Sequence, residues 1–171
     1  MQTFLPYASL VDSVNCLDNK RLGKQRVEAL QIINVLEGRS KGWANHPAVK
    51  MWVGYTEALH LYKDLCITEW IDRGFKNTMP FTYYGQFDWV DCEDTEEPSK
   101  IMPPWFGGLI HRTHRSNLLR KDPVYYGQFN WTEAHDRPYF WPKIEDYATN
   151  KPGLYNVYNS TEEIKHDRRT I

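Results

Sequence analysis

Residues 18–37 read DNKRLGKQRVEALQIINVLE, and this stretch decides the fold class. Asp18 is a good helix cap, and Leu22, Ala29, Leu30, Ile33 and Leu36 recur at helical spacing as a buried stripe. Gly38 supplies the stop, so the pattern predicts a helix over 18–37. Its first half is basic, with Lys20, Arg21, Lys24 and Arg26 inside seven residues. Arg21, Lys24 and Glu28 are three and four positions apart and share one face. Arg26 lies one turn from Leu22 and is expected to flank the core. Two cations and a carboxylate close to the chain's α-amine suit chemistry on an anionic polymer. The plainer alternative is a solvated helix in which Lys24 and Glu28 form an ordinary i,i+4 pair worth a few tenths of a kcal/mol.

Outward from this helix the pattern stays helical. Residues 47–73 predict a second, continuous helix. Pro47 suits its first position, Gly74 its end, and Trp52, Tyr55, Leu59, Tyr62 and Cys66 alternate spacings of three and four. At ~1.5 Å per residue it would run ~40 Å and form the spine of the domain. A third helix is expected over 108–121, stopped by Asp122-Pro123, and a short helical turn over 9–16. Residues 75–107 look irregular. The tail is expected to wrap over the helices, with a short helix near 161–167. The expectation is a mostly α protein: one compact domain over 1–171, about three main helices, long aromatic-rich loops and a C-terminal extension from residue 143.

The chain has 171 residues and a formal charge of −1, so polyanion binding must come from uneven charge. Residues 18–50 carry seven Lys or Arg against three acids, residues 111–121 four against none, and residues 91–97 (DCEDTEE) five acids. Trp, Tyr and Phe make up 15%, and such rings build cores or stack on bases. Three cysteines, Cys16, Cys66 and Cys92, have no metal-like spacing and read as free thiols of a reducing compartment. No apolar run approaches the roughly 20 residues needed to span a bilayer, and no signal-peptide pattern opens the chain. A cytoplasmic, monomeric protein with no membrane association is expected.

Three further features bear on chemistry. Residues 110–123 read IHRTHRSNLLRKDP. Arg112, Arg115 and Ser116 match phosphate oxygens, with Arg120 and Lys121 following. His111 and His114 sit three apart, but no third ligand accompanies them, so no metal is expected. Their roles lie open between phosphate contact, proton transfer and the core. Residues 83–89 (YYGQFDW) echo residues 125–131 (YYGQFNW). The echo reads either as two aromatic loops capping the core or as a pair of base-stacking loops. Finally, an α-amine titrates near about 7.7–8.0 against about 10.4 for lysine, so far more of it is nucleophilic at neutral pH. An amine can attack a sugar C1′, expel the base and leave a Schiff base.

The blocks MQTFLPY, LDNKRLGKQRVEALQI, NHPAVKMWVGYTEALHLY, EWIDRGF, HRTHRSNLLRKDPVYY and PYFWP, spread over residues 1–142, resemble the pyrimidine-dimer DNA glycosylases of the phage endonuclease V type. The resemblance implies a compact helical domain without a cofactor, acting on duplex DNA as an N-glycosylase with AP-lyase activity. It implies that the N-terminal amine, here that of Met1, is the nucleophile. It also implies that a glutamate on the first main helix handles protons while nearby arginines grip a kinked backbone. The bulk of Gln2 favours keeping Met1, where the founding enzyme exposes a small residue. In an ungapped reading a family arginine falls on Arg26 and the family glutamate on Gly23. Glu28 is the carboxylate nearest in the helix that shares a face with Arg21 and Lys24. Lys20 or Lys24 could replace the amine.

The catalytic residues expected are therefore Met1, Glu28 and Lys24. The nucleic-acid contacts expected are Lys20, Arg21, Arg26, His111, Arg112, His114, Arg115, Ser116, Arg120 and Lys121. Trp43, Trp52, Trp105, Tyr125 and Tyr126 are candidates to fill the gap left by an extruded nucleotide. The alternatives are a non-catalytic nucleic-acid-binding protein on the same scaffold, or an enzyme acting on another base in viral DNA modification.

Overall fold

The computed structural model describes residues 1–83 and 102–143. Helix α1 spans Leu10–Asn15, α2 Asn19–Leu36, α3 Pro47–Lys50, α4 Thr56–Asp72, α5 Ile110–Lys121 and α6 Pro123–Tyr126. A 3-10 turn follows at Gly127–Phe129, and the described residues contain no strand. The protein is mostly α, as its periodicity predicts. The acidic run 91–97, the first aromatic echo beyond Tyr83, Cys92 and the expected helix at 161–167 lie outside the described residues.

Each helix starts where its sequence allows. Ser9 caps α1 by accepting from Asp12 N–H at 3.1 Å. Asp18 caps α2 by accepting from Arg21 N–H at 3.0 Å. Its other oxygen takes Arg21 Nη1 at 2.5 Å and Tyr126 O–H at 2.6 Å. Burial pushes the Asp18 carboxyl up, but the hydrogen bonds from Tyr126 and Arg21 outweigh it and hold the pKa below the usual value.

The expected helix over 47–73 is broken. Gly54 adopts φ +82°, and Tyr55 leaves helical geometry at φ −128°, ψ 35°. Glycine takes that left-handed conformation without the steric cost a Cβ would bring, so the chain turns there between α3 and α4. The spine is α4 alone, about 26 Å long at 1.5 Å per residue. It packs along α2, and their shared face is Leu22, Ala29, Ile33, Leu59, Tyr62 and Cys66, all buried. Ile32 is buried as well, whereas Leu30 and Leu36 are only half-buried.

Gly23 lies in this crossing. A Cβ there would fall 2.8 Å from Cζ3 of Trp70. Trp70 is in turn stacked on Phe75, with ring centroids 4.1 Å apart, and covered by the Arg26 guanidinium at 4.1 Å. Arg73 ties the start of the chain to α4. It donates to the carbonyls of Asn15 and Leu17 at 2.9 and 2.6 Å and pairs with Glu69 at 2.6 Å.

The echo at 125–131 packs inward. Tyr126 and Phe129 both stack on Trp131, whose indole N–H donates to Tyr7 Oη at 3.0 Å. Among the described residues no helix is long and apolar enough to cross a membrane.

Candidate active site

Residues 1–7 form no regular element, yet the backbone N–H groups of Gln2, Thr3, Phe4, Leu5 and Tyr7 are all bonded, each by a side chain. Gln2 N–H donates to Glu28 Oε2 at 3.2 Å, Phe4 N–H to Gln25 Oε1 at 2.8 Å and Leu5 N–H to His114 Nδ1 at 2.8 Å. Tyr62 O–H donates to the Phe4 carbonyl at 2.9 Å, and Arg115 Nη1 to the Pro6 carbonyl at 2.7 Å. Trp52 Nε1 donates to Thr3 Oγ1 at 3.1 Å. Buried backbone groups must find partners. Here α2, α4 and α5 each supply them, so three helices together fix where the α-amine lies.

That amine ends 3.6 Å from Glu28 Oε1. The two oxygens of Glu28 do different things. Oε2 accepts from Gln2 N–H and from Gln25 Nε2 at 3.1 Å. Oε1 faces the amine and Lys24 Nζ, the latter at 3.5 Å. Glu28 is buried, whereas the Lys24 side chain is 70% exposed. One carboxylate oxygen is thus anchored and the other shared by the amine and Lys24. Gln25 is the anchor, because its Oε1 takes Phe4 N–H and lies 2.8 Å from Tyr62 Oη while its amide N–H holds Glu28.

Lys24 is the basic side chain paired with Glu28. Burial lowers the pKa of Lys121, and Arg21, Arg120 and Lys24 push it the same way, against Glu28. Lys121 therefore lies within electrostatic reach of the other three basic groups and of Glu28. Arg21 is held by Asp18, lies 3.7 Å from Asp122 and sits over the Tyr126 ring at 5.4 Å. Tyr139 and His46 also feel the site. Burial pushes the Tyr139 hydroxyl up to about 12, with Arg120 and Arg21 opposing and Glu28 assisting. His46 is pushed down by burial and by the Met1 ammonium, with Glu28 opposing.

The other expected residues are placed elsewhere. Arg26 is on the α4 side of α2, bonded to Asn77 Oδ1 at 3.0 Å and lying on Trp70. Lys20 is exposed at the start of α2. Arg115 makes two bonds to Glu133 Oε1, at 2.9 and 2.6 Å, and Arg112 Nε lies 4.0 Å from the same oxygen. Ser116 is buried and donates to the Ala134 carbonyl.

The two α5 histidines close on one residue. His111 Nδ1–H donates to the Leu5 carbonyl at 2.7 Å, and its Nε2 accepts from Gly107 N–H at 2.8 Å. His114 accepts from Leu5 N–H and packs edge-on to Phe4 and Tyr139. Burial lowers His111 to about 4 and His114 to about 3, so both rings are neutral at pH 7.

Sequence reasoning missed Gln25, His46 and Tyr139 as site residues. Gln25 had a signal, one turn from Arg21 and three residues before Glu28. The blocks NHP and PYFWP, which hold His46 and Tyr139, stood out as sequence but carried no assigned role.

Together these features define an α-helical protein with a carboxylate-paired α-amine set among cations. Residues 1–83 match the family model described as pyrimidine dimer DNA glycosylase, so the chain resembles that family through α1, α2, α3 and α4. At the level of the family the match is to a DNA-repair glycosylase. No curated protein and no solved structure matches the chain.

Proposed function

We propose that this protein is a DNA glycosylase with AP-lyase activity that uses the α-amine of Met1 as nucleophile and Glu28 as proton carrier. The observation that carries this reading is the asymmetric Glu28 carboxylate, with Oε2 bonded by Gln2 and Gln25 and Oε1 turned to the amine at 3.6 Å.

The chemistry follows from that arrangement. Glu28 Oε1 takes a proton from the ammonium and frees the nitrogen lone pair. The amine attacks C1′ of the damaged nucleotide, the C1′–N bond breaks, and the base leaves with that electron pair and takes a proton from the attacking nitrogen, which regains its lone pair. Glu28 returns its proton to O4′ as the sugar ring opens, and the nitrogen lone pair forms the C=N bond of a Schiff base. Loss of a C2′ proton then expels the 3′-phosphate by β-elimination, and water releases the product. Lys24, Arg21, Arg120 and Lys121 hold phosphates around the amine, and Lys20 extends this surface. Arg115, His111, His114 and Ser116 serve it from behind, by holding residues 5–6 and the 133–137 segment against α5.

Gly23 does not empty the site on this reading. Trp70 occupies the space a side chain at 23 would need, and Glu28, five residues on, brings the carboxylate to the amine.

Borohydride trapping tests the proposal. Duplexes carrying an abasic site or a cyclobutane pyrimidine dimer are incubated with protein and reductant, and the adduct is located by peptide mass. An adduct on Met1 is expected. An adduct on Lys24 would move the nucleophile, and tight binding without any adduct would leave the non-catalytic reading.

A further inference from the structure

We propose that Trp43 is the residue that enters the duplex beside the lesion and stacks on the base exposed when the target nucleotide leaves the helix. This rests on the reading of the protein as a DNA glycosylase and names the residue that would stabilise the opened duplex.

Burial separates the aromatic candidates. Trp52, Trp105 and Tyr126 are all buried in the core. Tyr125 is half-buried against Tyr126 and Phe129. Trp43 alone among the five is largely exposed, at 66%. A large ring left in water at that fraction forgoes the burial that usually fixes tryptophan.

Its backbone points the same way. Trp43 has φ +67°, a left-handed conformation uncommon for a bulky residue. The turn is closed by His46 N–H donating to the Trp43 carbonyl at 2.8 Å. Glycine would fit this position without strain, yet a tryptophan stands there with its ring in solvent. Outliers of this kind persist where the surroundings hold them, and they gather at functional sites.

The position is next to the chemistry. The Trp43 ring meets the His46 ring edge-on, with centroids 5.7 Å apart, and His46 meets Trp141 in the same way at 5.8 Å. His46 is itself fixed, because its Nδ1 accepts from Ala48 N–H at 3.0 Å and caps α3. His46 opens α3, and Trp52 just beyond α3 donates to Thr3 Oγ1 at 3.1 Å, so the segment that carries Trp43 is tied to the chain two residues from the amine. The loop that carries Trp43, residues 38–46, holds Arg39 and Lys41 and no acid, with Arg39 paired to Glu37 at the end of α2 and Lys50 following on α3. A flat exposed ring on a basic loop fits a nucleobase, because every base presents a π-face to stack on.

The test uses the full chain with Trp43→Ala and Trp43→Phe. The reporter is 2-aminopurine placed opposite an abasic site in a duplex, and its fluorescence is read on binding. Wild type is expected to change the signal by stacking, Trp43→Phe to retain most of that change, and Trp43→Ala to lose it. Affinity for the abasic duplex should fall roughly 5- to 150-fold in Trp43→Ala, as expected for loss of one base–aromatic stack. Trapping on a single-stranded abasic oligonucleotide, which needs no opened duplex, should fall by less than trapping on the duplex in Trp43→Ala.

An unaltered reporter signal and duplex affinity in Trp43→Ala would overturn the proposal. So would equal losses on single-stranded and duplex substrate, which would make Trp43 part of the amine site itself. Absence of any adduct with wild type would count against the lyase reading, while the reporter still decides the role of Trp43.

Discussion

Glu28 meets the Met1 amine with one oxygen only: Oε1 lies 3.6 Å from the nitrogen, while Oε2 is held by Gln2 N–H and Gln25 Nε2. The anchoring groups are uncharged donors. Replacing the acid by its amide therefore keeps the shape and removes the proton acceptor. Glu28→Gln should bind abasic duplex with little change and lose roughly 10²- to 10⁴-fold in the rate of borohydride-trapped adduct. Retention of the wild-type trapping rate would remove Glu28 from the chemistry.

The amine is placed by hydrogen bonds from three helices, so adding to it should be severe. Acetylation of the Met1 amine should abolish the adduct while Lys24→Met leaves it, since Lys24 is mostly exposed and lies 3.5 Å from Glu28 on the outer side. Peptide mass of the trapped product checks both. Loss of the adduct in Lys24→Met alone would point to the lysine as nucleophile.

Gly23 and Trp70 form a packing pair with a testable sign. Alanine should favour the helix by about 1 kcal/mol over glycine. The Cβ would meet Trp70 at 2.8 Å, so Gly23→Ala should instead destabilise by about 1–3 kcal/mol in denaturant unfolding. Combining it with Trp70→Leu should recover part of that loss, a non-additivity a double-mutant cycle would measure.

His111 and His114 give the fold an acid limit. Unfolded imidazoles take a proton near pH 6.5, but the folded ones do so only near about 4 and about 3. Between these values the unfolded chain binds more protons. The stabilisation is full above pH 6.5 and is lost as pH falls through the folded values. Melting temperature should drop through this window. His114→Asn, which keeps an acceptor for Leu5 N–H, should flatten the drop.

The basic residues of α5 should divide by assay. Arg115→Met leaves the buried Glu133 without its closest partner and should cost about 3 kcal/mol of stability. Lys121→Gln should leave stability nearly unchanged and lower the salt slope of duplex binding by about 1. A fall in the salt slope with Arg115→Met at unchanged stability would return that arginine to the DNA surface.

Much of the fold was legible before any coordinates. The Asp18 cap, the α2 stripe and the ends of α2 and α5 follow from local rules, because a cap, a periodic face and a proline act within a few residues. Gly54 was the exception. A single glycine inside a good apolar period is compatible with a continuous helix, and the turn at Gly54 shows only once α3 and α4 each pack on α2.

The sequence by itself determined the helical class, the basic face of α2 and the set of groups able to do amine chemistry. Tertiary structure decided which of them meet. Position 23 faces Trp70, forty-seven residues further on, while Glu28 on another face of the same helix meets the amine. Arg26 turns to α4, and each α5 histidine commits its Nδ1 to Leu5. Trp43 is exposed while Trp52 and Trp105 are buried. Each of these outcomes is a competition for space or for a hydrogen-bond partner between residues distant in the chain, and local spacing carries no record of such competitions.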